Sequence, residues 1–337
     1  MKVPTTADVR QLNPPELGFF SKALDCHGIP IKCHADVCDE AMVEAARRIL
    51  DQIGKQPGII HNMVQAGAQL HIIGKDQVTS DLPYFRHRRG IICDKERNQD
   101  IDQRTRGVGG LNTSCGEENL LRLDDDRYIG RDICRHEFAH TMLSYGMDKP
   151  TFQMIVDRHE EAMKEGLWET CYSATNYHEY WAELTMWYFD WRGDLGKKEP
   201  HPEPGVEWFK NYDPKGYELI DKIYTGRWQV GKTERLILPA IPGSKEPEMK
   251  SPAGGEKTNI IFDNPTDTDY QIFRLDENGA RQEPDSEHEG HTTMHAGDRD
   301  GVDAFVGQVW VVADMDGKAL SIHVAQDKPG KVIIPAV

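Results

Sequence analysis

His136-Glu137-Phe138-Ala139-His140 sets two histidines and a glutamate at a spacing that can do chemistry. On a helix, residues four apart project from one face, so two neutral imidazoles can hold one Zn²⁺. Glu137, beside the first histidine, is then placed to take a proton from a water activated by the metal. An ordinary amphipathic helix could also carry these five residues, so their surroundings decide. Ile129 and Ile133 lie four apart and Leu143 continues their side. That pattern predicts a helix over residues 129–145, stopped by Gly146.

A catalytic zinc needs a third protein ligand and one open position. One class of zinc peptidase places a glycine and then a histidine shortly after the second ligand. Those positions hold Leu143 and Gly146, which excludes that class. A better donor lies further on. Glu179 and Glu183 are one helical turn apart, and Trp181, Leu184, Tyr188 and Trp191 give their helix an apolar side. Glu179 is the expected ligand. Glu183 is expected behind it, accepting a hydrogen bond from a ligand imidazole or pairing with an arginine. Two plainer readings stand beside this. Asn176 and Glu179 have the spacing of a helix N-cap and its return partner. His178 is a rival ligand, about 100° round the helix from Glu179.

Together, H-E-F-A-H, the later Tyr172, Thr175, Asn176 and Glu179, and then Ala182-Glu183 resemble a known family. It comprises the catalytic domain of anthrax lethal factor and the bacterial Pro-Pro endopeptidases, which are gluzincin metallopeptidases. The resemblance covers about residues 100–192. It implies that His136, His140 and Glu179 hold zinc, that Glu137 is the base, and that Tyr172 faces the metal and stabilises the tetrahedral intermediate. It also implies an α+β zincin-like domain, with a mixed sheet, an active-site helix and a mostly helical lower lobe. The role of Tyr172 has its own physical ground, since peptide hydrolysis builds negative charge on the carbonyl oxygen and a phenol can donate to it. Without the resemblance, Tyr172 beside Cys171 reads as a core residue.

The 337-residue chain is long enough for a catalytic domain and a smaller module. A hydrophobic content of 38 % and a mean hydropathy of −0.64 predict a polar, globular protein. No run approaches the ~18 apolar residues that span a bilayer, so no membrane insertion is expected. Residues 1–8 lack the apolar core of a signal peptide. The expectation is a secreted or extracytoplasmic protein whose export signal lies outside this sequence, with a cytoplasmic protein as the alternative. A net charge of −16 argues against a nucleic-acid partner. The basic cluster Arg86-His87-Arg88-Arg89 is a local exception, read as a solvated loop or as a seat for an acidic or C-terminal group of a substrate. All seven cysteines precede residue 172, and none forms a C-x-x-C pair. They suit up to three disulfides and a free thiol, or else buried reduced thiols.

Helices are expected over residues 39–55, 59–66 and 216–224, with strands over 69–74 and 90–93. Residues 107–110 and 113–116 read as loops and edge strand bordering a cleft. The catalytic domain is expected over 1–242. Residues 243–256, rich in Pro, Gly, Ser and charge, read as a linker. From residue 257 short alternating strands appear at 259–262, 270–275, 308–312 and 321–324, with Asn278-Gly279 and Asp316-Gly317 as turns. These features predict an all-β sandwich over 257–337. Phe262-Asp263-Asn264, Leu275 to Gly279, and Gly307-Gln308-Val309-Trp310 with Asp314 resemble the β-domain of the von Hippel–Lindau tumour suppressor. That family grips a hydroxyproline-bearing peptide. Here Arg274, Asp303, Ala304 and Gln308 replace its pocket residues, so only the sandwich is implied, with Trp310 as core. From Glu256 onward there are 16 acidic and 7 basic residues, a net 7 − 16 = −9. His291 and His295 near Asp298, Asp300 and Asp303 suit a solvated acidic loop or a second metal site.

The expected function is a zinc-dependent endopeptidase acting on a protein or peptide substrate. The β-module would dock substrate or a protein or cell-surface partner. The alternative is a binding protein on a zincin scaffold, with little turnover.

Overall fold

The computed structural model describes residues 1–196, 205–284 and 292–334. The chain divides into two compact units, Met1–Lys232 and Thr233–Val337. The first mixes helices with a sheet, and the second is made of strands.

The first unit opens with an antiparallel meander, β1 (Arg10–Glu16), β2 (Phe20–Cys26) and β3 (Ile29–Cys33). Helix α1 (Asp39–Ile53) follows, burying Ala41, Met42, Ala45, Ala46, Ile49 and Ile53 along one face. Asp39 and Glu40 in its first turn complement the helix dipole. After α2 (Pro57–Ala66), Gly67 takes a left-handed conformation and turns the chain into β4 (Gln69–Ile73). A two-stranded hairpin, β5 (Ile92–Asp94) and β6 (Gln99–Asp100), leads to the short α3 (Ile101–Arg104). Then come β7 (Gly107–Val108), β8 (Asn112–Gly116) and α4 (Glu117–Leu121). The six-stranded sheet runs β1-β2-β3-β4-β8-β7, with β3, β4 and β8 parallel and β7 antiparallel at its end.

Residues 113–116, expected as loop and edge strand, belong to the fully buried interior strand β8. Small side chains explain both the misreading and the outcome. Thr113, Ser114 and Cys115 carry little apolar signal, yet they let a helix approach closely. That helix is α5 (Ile133–Thr141), extended by one π-helical turn, Met142–Gly146. Thr113 bonds Thr141 through their hydroxyls, and the Cys115 thiol meets that of Cys134. Helix α5 begins later than residue 129. Ile129 is 80 % exposed, Gly130 turns the chain at φ 83°, and Asp132 is the N-cap, accepting the Arg135 amide at 3.1 Å.

Helices α6 (Lys149–Lys164), α7 (Tyr177–Tyr188), α8 (Val206–Tyr212) and α9 (Pro214–Tyr224) complete the unit. Buried Asp213 ties three of its parts. It caps α9 through the Gly216 amide and accepts Tyr180 Oη at 2.7 Å and Trp168 Nε1 at 3.0 Å. Of the two readings of the cysteines the free thiols hold, with five of the seven buried, Cys38 half-buried and Cys93 exposed. No helix among the described residues is long and apolar enough to cross a membrane.

In the second unit, β9 (Leu236–Ile237), β10 (Ile241–Pro242), β11 (Lys257–Asp263), β12 (Tyr270–Leu275), β13 (Arg281–Gln282) and β14 (Thr293–Met294) precede β15 (Arg299–Phe305), β16 (Val309–Ala313), β17 (Ala319–Val324) and β18 (Gly330–Ile333). They form two sheets, β10-β17-β16-β12-β13 with β14 on β12, and β15-β11-β18-β9. Ile260, Phe262, Val302 and Val332 of one sheet meet Tyr270, Ile272, Trp310 and Val312 of the other in a shared core. Trp310 packs there, 5.6 Å from the Phe262 ring.

The segment read as a linker behaves differently. Just before it Ile241 pairs with Ile322, and within it Glu246 accepts Arg281 Nε and Nη2 at 2.5 and 2.6 Å and Ser251 Oγ accepts the Val309 amide. Its Pro and Gly content shapes a 3₁₀ turn at Gly243–Glu248 within the unit. The units therefore divide at Lys232, and residues 233–242 belong with the strands. His291 lies outside the described residues. His295 pairs with Asp269 at 3.0 Å, Asp298 accepts the His295 amide, and Asp303 sits in register with Asn259 on β11. Among the described residues these groups do not converge on a metal position.

Candidate metal centre

Helices α5 and α7 bring the site together. On α5, Asp132 is 1 % exposed and meets Arg48, Arg122 and Arg135 at 3.0, 3.0 and 3.3 Å. This anchors the first turn, so His136 and His140 project from a fixed helix. On α7, Asn176 caps the start by accepting the Glu179 amide at 2.9 Å. The N-cap reading of Asn176 and the ligand reading of Glu179 are therefore compatible, since the cap uses the Glu179 amide and leaves its carboxylate to face α5.

Three donor atoms converge. His136 Nε2 and His140 Nε2 are 3.2 Å apart, and Glu179 Oε2 lies 3.3 and 3.4 Å from them. Three ligands about 2.0–2.1 Å from one tetrahedral zinc are separated by about 3.3 Å, so the spacing fits that ion. Glu179 Oε2 is buried and makes no hydrogen bond of ordinary geometry, the state of an atom reserved for a cation. Among the described residues this is the one group of three His, Cys, Asp or Glu side chains arranged to hold a metal. His178 is outside it, its ring centroid 6.2 Å from that of His140.

Electrostatics point the same way. Burial works against a charge on His136, but the carboxylates of Glu179, Glu137 and Glu183 outweigh it and raise its pKa to about 9. Burial likewise works against ionised Glu179, and the two histidines hold it well below the usual carboxylate range. A field that favours positive charge at His136 also favours a dication there. Behind His136, the wholly buried Glu183 approaches Nδ1 at 3.3 Å and pairs with Arg131 at 2.6 Å. Glu183 thus lies between an imidazole and an arginine.

Glu137 projects from the same helix toward β7, where a Cβ on Gly107 would lie 3.0 Å from its Cγ. Gly109 passes as close to His140, a Cβ there falling 2.6 Å from the histidine's own. Only glycine lets the chain at β7 and just after it run this near both residues. Burial raises the Glu137 pKa, nearby Glu179 adds to it, and His136, His140 and Arg104 oppose it. Tyr172 sits on a 3₁₀ turn, Tyr172–Ala174, and is 40 % exposed. Its phenol faces Glu179, and partial burial together with that carboxylate pushes its pKa up. It is not a core tyrosine.

Two residues were not foreseen. Arg104, at the end of α3, is the cation that acts on both Glu137 and Tyr172. Asp194 holds the Tyr172 amide at 2.7 Å. Neither has a motif, and both reach the site from distant parts of the chain.

No known family and no curated protein matches the chain. Among solved structures, the Pro-Pro endopeptidase of Paenibacillus alvei is a neighbour at 14 % identity and a TM-score of 0.37, covering 55 % of this chain and 92 % of its own.

Proposed function

We propose that this protein is a zinc-dependent endopeptidase cleaving a protein or peptide substrate, with its strand-built unit docking substrate or a partner. The observation that carries this is the triangle of His136, His140 and Glu179 donor atoms at zinc-ligand spacing, with Glu137 and Tyr172 on its rim. When bound, zinc would polarise a carbonyl and lower the pKa of water.

The chain's own groups supply the rest. Glu137, raised in pKa, accepts the proton of the attacking water and passes it to the leaving amine. Tyr172 donates its phenol proton in a hydrogen bond to the carbonyl oxygen as charge grows there. Glu183 fixes the ring of His136 from behind. Strand β7, last in its sheet and beside Glu137, offers backbone groups along which an extended peptide can align.

The test joins metal analysis to a peptide library read by mass spectrometry. Purified protein should hold close to one zinc per chain and cleave peptides. Glu137→Ala should keep the zinc and lose the cleavage. Full zinc with no cleavage of any peptide by the wild-type protein would leave a binding scaffold instead.

A further inference from the structure

We infer that Asp194 is a positioning residue for Tyr172, and that the turn 193–196 links the phenol to the carboxylate behind His136. The inference rests on the peptidase reading of the site. It starts from the backbone before Tyr172. Trp168 and Thr170 have φ values of 60° and 67°, left-handed conformations that side-chain-bearing residues rarely hold unless their surroundings enforce them. The turn 193–196 supplies that enforcement. Asp194 Oδ2 accepts the Tyr172 amide at 2.7 Å and the Gly196 amide at 3.1 Å.

Contact between the turn and its neighbours is close enough to demand glycine. At Gly196, φ is 56° and a Cβ would stand 2.0 Å from the Thr170 carbonyl oxygen. At Gly193 a Cβ would stand 2.3 Å from Trp187 Nε1 and 2.8 Å from Glu183 Oε2. The other end of Asp194 faces the metal side, its amide donating to Glu183 Oε2. Glu183 Oε1 in turn lies 3.3 Å from His136 Nδ1 and 2.6 Å from Arg131 Nη2. One aspartate therefore accepts from the backbone of the oxyanion donor and donates to the carboxylate that orients a metal ligand. A displacement of the phenol by about 1 Å is enough to cost up to 100-fold in rate.

A double-mutant cycle tests this. Asp194→Ala should lower kcat on a cleaved peptide about 10- to 100-fold with KM little changed and zinc retained. Asp194→Asn, which keeps an acceptor oxygen, should recover most of that loss. In a Tyr172→Phe background, Asp194→Ala should cause no further loss. A second readout needs no activity: in metal-free protein the Tyr172 amide should exchange its hydrogen at least tenfold faster in Asp194→Ala than in wild type or Asp194→Asn. Equal kcat losses in both backgrounds, or unchanged amide exchange, would overturn the inference. Wild-type protein that cleaves nothing while the exchange result holds would instead overturn the peptidase reading and leave Asp194 as the holder of Tyr172.

Discussion

The two units bury charge in different ways. In the first, buried ionisable groups sit in the interior and hold one another: Asp132 among Arg48, Arg122 and Arg135, Glu118 against Arg106, and Glu183 between Arg131 and His136. In the second, the core is Ile260, Phe262, Ile272, Trp310, Val312 and their neighbours, and the buried ionisable groups are few, with Asp263, Asp298 and His323 among them. Apolar packing is non-directional and fills space. Buried ion pairs add little net stability, but they fix where a side chain points. In the first unit such pairs aim His136, from α5, toward Glu179.

The largest expected effects fall where that aim is made. His136→Ala, His140→Ala and Glu179→Ala should each abolish stoichiometric zinc, because three ligands are the minimum set of a catalytic site. Glu183→Ala should weaken zinc binding about 10- to 100-fold through the freed His136 ring. Tyr172→Phe should keep zinc and fold while turnover drops about 10²- to 10³-fold. Metal analysis and peptide kinetics check all five. Zinc retained in Glu179→Ala but lost in His178→Ala would make His178 the third ligand in place of Glu179.

Stability should divide between the units in the same way. Asp132→Ala leaves three arginines without their shared carboxylate, so a loss of about 3–5 kcal/mol is expected in urea unfolding of the first unit. Ile260→Val, in the apolar core of the second, should cost about 0.5–1.5 kcal/mol. Equal losses would break the contrast. A chain ending at Lys232 should retain zinc and cleave short peptides, since His136, Glu137, His140, Tyr172 and Glu179 all precede that residue. A truncated chain that unfolds or loses its zinc would show that the strands are part of the catalytic fold.

The parts of this arrangement that could be read in the sequence are those governed by local period. Helix α1 follows from its apolar face, and the 136/140 pair follows from helical spacing. Strand β12 follows from alternation, β16 from its unbroken apolar run, and both from their glycine turns. What could not be read depends on partners far along the chain. Asp194 meets Tyr172 across 22 residues, and Arg48 meets Asp132 across 84. Strand β8 escapes because Thr113, Ser114 and Cys115 give no apolar alternation, although their small size is what admits helix α5. Strand β15 reads as an acidic loop, and only Val302 and Ala304 betray its inward face. The Pro- and Gly-rich stretch after Ile241 has the composition of a linker, but Glu246 and Ser251 tie it to the sandwich.

A last expected effect, set by pH, lies in the second unit at Asp298. Burial raises its carboxyl from an ordinary 3.8 to about 6, although the His295 amide and ring pull the other way. Between those two values the folded state binds a proton that the unfolded state has released. Stability contributed by this group is therefore complete below pH 3.8 and lost as pH rises through about 6, a swing on the order of 2–3 kcal/mol. Asp298→Asn keeps an oxygen for the His295 amide and cannot ionise. At pH 7 the second unit of this variant should melt a few degrees above wild type, by less than the full swing because the new amide N–H needs a partner. At pH 4 the two should melt together. A variant no more stable at pH 7 than wild type would mean that Asp298 is solvated well enough to ionise without penalty.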